Sequence, residues 1–192
     1  MSVHGPKEVS QKSNLVHDRA SIEVEVNMAA FSTSERRKKV KSDRRLLELC
    51  SLVKETFSAS ILLNLFPQSQ ISIQVQVLQT DGGLTATILN CVSLAIIEAG
   101  IPCLDYVCAI SCGVFEETPL LDLNQIEETC SPVLTVACMP NRNKVLTILT
   151  EGRIHTDLFQ SMFQACQEGC SRLHSVFDAS MKEHITILAN KR

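Results

Sequence analysis

A chain of 192 residues has room for one sizeable domain and is short for two. Its content of 45% apolar and 20% charged residues is that of a soluble globular protein. The uncharged span Gly82 to Ile97 is 16 residues and too short to cross a bilayer, and the longer one from Thr56 to Thr80 is broken by Pro67 and rich in Ser and Gln. No signal peptide is legible, so no membrane partner is expected. The mild net charge of −3 conceals an asymmetry. Seven basic residues (Arg36, Arg37, Lys38, Lys39, Lys41, Arg44, Arg45) crowd into 35–45 beside only Glu35 and Asp43, which leaves 11 basic against 19 acidic residues elsewhere.

In chain order, Gly5-Pro6 predicts a turn after a stub of strand. Ser21 to Ala30 alternates Ile22, Val24 and Val26 with Glu23 and Glu25, the pattern of a half-exposed strand. A polar basic loop follows over 31–45. Ser42 or Asp43 then caps a long amphipathic helix burying Leu46, Leu49, Cys50, Val53, Phe57, Ile61, Leu62 and Leu65, with Pro67 as its stop. Ile71, Ile73, Val75 and Val77 alternate with Ser72, Gln74 and Gln76, a period of two that puts one face in a core. After Thr80-Asp81-Gly82-Gly83 a helix is predicted with Leu84, Ile88, Cys91, Leu94, Ala95 and Ile97 on its apolar side; Gly100 can cap it and Pro102 ends it.

Three or four more strands are expected next: Asp105 to Phe115, a short Leu120 to Leu123 after a turn at Glu116-Glu117-Thr118-Pro119, and a hairpin of Val133–Met139 with Lys144–Thr150. A last helix starts at Thr156 and carries an apolar stripe from Leu158 to Met181; the tail 183–192 is expected to fray. The order of elements is mixed α+β, in a single domain over 1–192.

Three features bear on chemistry. The strand–Gly82-Gly83–helix junction either cradles an anion with its amides or is an ordinary tight turn, and it contains no Lys or Arg. The basic run is either a solvated face or a contact for nucleic-acid phosphates. The nine cysteines are odd in number, lack any CxxC pair and mostly sit in apolar runs (Cys91, Cys103, Cys108, Cys112, Cys138), so they read as reduced core thiols of a cytosolic or nuclear protein. Cys166 and Cys170 lie four apart on a helix without further ligands, and the five histidines have no ligand or triad spacing. No metal and no cofactor are expected.

The series VLQTDGGLTA, EAGIP and TPLLDLNQIEE, together with FSTSERRKKVKSDRR and NLFPQSQISIQVQVLQTDGG, resembles the RNase PH family, and within it the ring subunits of the RNA exosome. The resemblance runs from Val3 onward. It implies an RNase PH-like mixed sheet packed against helices, with the first strands missing and 1–20 a remnant strand and loop.

The resemblance also implies an eroded reaction centre. Active members carry Thr and Arg after the glycine pair to bind the attacking phosphate, where this chain has Leu84 and Thr85; a further Arg falls at Ser51. Asp122 matches the catalytic Asp, and Glu128 stands where active members carry a second Asp. A carboxylate there can act as a general acid or hold a metal. The plainer alternative is that Asp122 ends a strand and caps the next segment, while Glu127 and Glu128 are solvated.

The expectation is a non-catalytic subunit with a degenerate site at Gly82, Gly83, Leu84, Thr85, Asp122 and Glu128. The basic residues Arg36, Arg37, Lys38, Lys39, Arg44 and Arg45 would contact single-stranded RNA in a central channel. Implied partners are other RNase PH-like ring subunits, cap subunits and an associated exoribonuclease, in the nucleus, including the nucleolus, and the cytoplasm. The rival expectations are an active phosphate-dependent 3′-to-5′ exoribonuclease, and a chain that does not assemble at all.

Overall fold

The computed structural model describes residues 1–9, 16–33, 36 and 43–190. Where the sequence suggests one domain, the chain divides into two compact units. The first is Met1–Asp81 with Ala95–Leu104, the second Gly82–Leu94 with Asp105–Arg192. The physical reason is that the strands form two separate sheets, each burying its own apolar face.

The first unit holds a three-stranded sheet of order β1-β3-β2, from β1 (Ser2–Glu8), β2 (Ser21–Met28) and β3 (Ser69–Val77). β3 runs antiparallel to β1 and parallel to β2. As the central strand it buries both faces: Ile71, Ile73, Val75 and Val77, and also Gln70 and Ser72. Gly5-Pro6 does not make the expected turn. It lies inside β1 as an irregularity between His4 and Lys7, after which pairing to β3 resumes.

Helix α1 (Arg44–Ser60) packs on β2 and inserts Val53 and Phe57 into the core. Its cap is Asp43, whose side chain accepts from the Arg45 amide. The helix stops at Ser60, well before Pro67, because Ile61 leaves to pair with Cys103. Leu62 and Leu65 are therefore exposed instead of continuing the buried stripe.

Helix α2 (Leu84–Glu98) buries Ile88, Leu89, Val92 and Ile96, a face rotated from the expected one, and leaves Cys91 exposed. The rotation follows from polar anchors. Asn90 exchanges two hydrogen bonds with the backbone of Ala109 (2.7 and 2.8 Å), and the Ser93 hydroxyl accepts from the Val107 amide at 3.0 Å.

The second unit is built on an antiparallel sheet of order β5-β4-β6-β7. Its strands are β4 (Cys108–Phe115), β5 (Thr118–Leu121), β6 (Val133–Met139) and β7 (Lys144–Glu151). The β4–β5 turn is tighter than expected: Glu116 and Glu117 both take positive φ, and Phe115 already pairs with Thr118. Pro119 thus sits on an edge strand, where its missing N–H is harmless.

A short helix α3 (Gln125–Cys130) links β5 to β6. Helix α4 (Thr156–Asn190) packs on β4, β5 and β6 through Met162, Cys166, Cys170 and their neighbours. Gly169 lets it approach, since a Cβ there would meet Ile110 Cδ1 at 2.7 Å. Residues 183–190 continue this helix, contrary to the expected frayed tail. No described helix is long and apolar enough to cross a membrane.

Candidate functional site

The glycine pair between β3 and α2 belongs to a site assembled wholly within the second unit. Gly82 has φ +91°, and a Cβ on it would stand 2.3 Å from the Leu123 carbonyl oxygen and 2.9 Å from the Asn124 Cα. Only glycine allows this backbone-on-backbone contact. Gly83, at φ +57°, opens α2: its carbonyl accepts from the Thr87 amide and the Thr87 hydroxyl, both at 2.9 Å.

The opposing segment is Asp122-Leu123-Asn124. The Asp122 amide donates to the Ser111 carbonyl at 2.9 Å, which holds this exposed residue at φ +61°. Leu123 is buried because Gly113 offers no side chain against its methyls. Asn124, not Asp122, caps α3. Its side chain accepts from the Ile126 and Glu127 amides at 3.0 Å, and Glu127 Oε2 accepts from the Asn124 amide at 2.9 Å.

The neighbouring Glu128 is not solvated. It is half-buried, and its Oε1 accepts from the Gly83 amide at 2.7 Å. A carboxylate on the first free amide of a helix gains about 0.3–1 kcal/mol from the aligned peptide dipoles. The hydrogen bond itself is charge-assisted and short.

The other side chains nearest Gly83 are Ser111 and Asp122. A Cβ on Gly83 would lie 3.5 Å from Ser111 Oγ, 3.6 Å from Asp122 Oδ1 and 3.9 Å from Thr87 Oγ1. The Gly83 amide and the Thr87 hydroxyl are thus engaged, and the Ser111 hydroxyl is the donor left over beside two carboxylates. Leu84 and Thr85, half-buried at the head of α2, supply no charge. Ser51 is exposed on α1 in the first unit, on the rim of a groove of about 530 Å³ that Arg19, Lys54 and Gln70 also line. Among the described residues no group of His, Cys, Asp and Glu could hold a metal ion.

Of the basic residues, Arg36, Arg44 and Arg45 are exposed, while Arg37, Lys38 and Lys39 lie outside the described residues. Arg44 pairs with Glu48 at 3.0 Å, but both side chains are well exposed, so the pair restrains Arg44 little. Phe31 is 74% exposed close by in sequence.

The five buried thiols lie in the second unit. Cys112 and Cys166 share one cluster, and Cys108, Cys138 and Cys170 another. Burial pushes Cys108 up to about 12 and half-buried Cys103 up to about 11, so neither ionises near neutrality.

Ser111 and Thr87 were beyond reach in the sequence, since an isolated hydroxyl in a strand or helix carries no signal. The Asn124…Glu127 spacing is a helix-start signature that could have assigned the cap.

Two sheets in this order, a glycine junction opening a helix and a carboxylate pair facing it define the RNase PH class, and the chain belongs to that family. The family described as "3′ exoribonuclease family, domain 1" matches residues 1–102, and its domain 2 matches 105–169. More particularly, the chain is similar to exosome complex components. It is 36% identical over 185 residues to exosome complex component RRP41 of Mus musculus, across 95% of this chain and 76% of that protein. It is 38% identical over 181 residues to exosome complex component ski6 of Schizosaccharomyces pombe, across 94% and 75%. The crystal structure of rice (Oryza sativa) Rrp46 superposes with a TM-score of 0.82 at 25% identity, covering 94% of this chain and 81% of that one. The Archaeoglobus fulgidus exosome with RNA bound to the active site shares the fold, with a TM-score of 0.70 at 15% identity over 84% and 72%.

Proposed function

We propose that this chain is a non-catalytic ring subunit of the RNA exosome, which binds single-stranded RNA and guides it to an associated exoribonuclease for 3′-to-5′ processing and decay. Its partners are other RNase PH-like ring subunits and cap subunits, in the nucleus, including the nucleolus, and the cytoplasm. The relatives' names as exosome components support the assembly.

The loss of catalysis rests on one observation: the Gly83 amide is bonded to the Glu128 carboxylate, beside a second carboxylate at Asp122. Phosphorolysis must bring inorganic phosphate against a phosphodiester, two anions that repel unless cations offset them. By resemblance the two cations would stand at Thr85 and Ser51, and a phosphate-binding hydroxyl at Leu84. Losing one such electrostatic contact costs on the order of a hundredfold or more in rate, and the losses here compound.

Exposed Arg36, Arg44 and Arg45 suit contacts to phosphates, which are sequence-tolerant and salt-dependent. The test of the reading is phosphate-dependent release of nucleoside diphosphates from RNA. None is expected. Release that Asp122→Ala abolishes would establish the active enzyme instead.

A further inference from the structure

We propose that Glu128 is a built-in ligand: its carboxylate occupies the anion position at the head of α2 and keeps external oxyanions out. This deepens the non-catalytic reading and rests on it.

Two independent observations carry the inference. The first is the contact itself. Glu128 Oε1 takes the Gly83 amide at 2.7 Å, at the opening of a 15-residue helix whose dipole favours negative charge there. The residue is fixed for the purpose, because α3 is pinned by the Asn124–Glu127 capping box and its preceding loop is docked on Gly82.

The second is Ser111. Its hydroxyl is buried, the residue only 2% exposed, and it has no hydrogen-bond partner, yet it stands 3.5 Å from the Cβ position of Gly83. A buried hydroxyl without a partner is costly in a folded protein, and here it stands beside the glycine whose amide a carboxylate occupies. The junction thus offers one more donor than Glu128 uses. A tetrahedral or planar oxyanion could take both the amide and the hydroxyl; the protein's own side chain takes only the amide.

A tethered ligand competes at a high effective concentration, so the apparent affinity for an added anion falls by about tenfold or more while the tether is in place. Removing the carboxylate vacates the amide without disturbing Gly82, Asp122 or the capping box. Asp122 remains as a like charge, so the vacated position favours anions of low charge, such as formate, and binds phosphate weakly.

The experiment follows the Gly83 amide resonance of the full chain during titration with sodium formate or inorganic phosphate, with sodium chloride at matched ionic strength as control. In the unsubstituted protein the resonance should not respond. In Glu128→Ala it should shift saturably with formate, and with phosphate at higher concentration. Glu128→Gln, which keeps an acceptor but loses the charge, should fall between them and serves where the alanine variant folds poorly. Equal responses in the unsubstituted and substituted proteins, whether all bind or none does, would overturn the inference. The two readings fail separately: silence in every variant removes the built-in ligand and leaves the non-catalytic subunit standing, whereas nucleoside diphosphate release by the unsubstituted chain removes the latter.

Discussion

Gly82 and Leu123 touch backbone to backbone, with only 2.3 Å between a would-be Gly82 Cβ and the Leu123 carbonyl oxygen. That contact ties the junction after β3 to the loop that carries Asp122. Gly82→Ala must move one of the two main chains and also accept φ +91°. The expected loss is about 2–4 kcal/mol in denaturant unfolding. Gly100→Ala is the control. It shares a left-handed φ of +72° but meets nothing within 4 Å, so only about 1–2 kcal/mol should go.

The core of the first unit turns on Phe57, which is 1% exposed where α1 meets the sheet. Phe57→Ala should cost about 3–5 kcal/mol, and Leu47→Ala, on the exposed side of the same helix, under about 0.5 kcal/mol. A larger loss from Leu47→Ala than from Phe57→Ala would show that α1 is turned the other way.

Thiol chemistry divides by burial. Exposed Cys91 and Cys130 should react quickly with an aromatic disulfide reagent under native conditions, while Cys108, Cys112, Cys166 and Cys170 react only on unfolding. The same burial sets a pH dependence. An unfolded Cys108 ionises near 9, but the folded one keeps its proton to about 12. Between those values the folded state binds more protons, so stability is whole below pH 9 and falls as pH rises through the window. Melting temperatures across pH 8 to 11 check the sign, and Cys108→Ala should flatten the decline.

Charge reversal at Arg44 and Arg45 should weaken RNA binding. If each contacts one phosphate, the slope of log affinity against log salt should shrink by about 1.4 in magnitude. An unchanged slope would remove both residues from the RNA path.

Much of the fold was legible because periodicity and local chemistry agreed. β3, α2 and the β6–β7 hairpin all follow from alternation or stripe plus turn residues. The features that escaped were decided by distant partners. Leu62 and Leu65 read as helix stripe, but pairing of Ile61 with Cys103 ends the helix first. Cys91 read as core, but the bonds of Asn90 and Ser93 to the chain before and within β4 turn it outward. At the site, the glycine pair, Asp122 and Glu128 were visible as residue types. The 45-residue hydrogen bond that joins Glu128 to Gly83 was not, since no local pattern encodes it.

The left-handed backbone at Asp122 is a conformation that glycine or asparagine adopts with less strain. Position 122 thus holds a charged group where architecture alone would choose otherwise, and Asp122→Gly should melt no lower than the parent. A more heat-resistant variant there would mark the aspartate as a residue kept at a cost to stability.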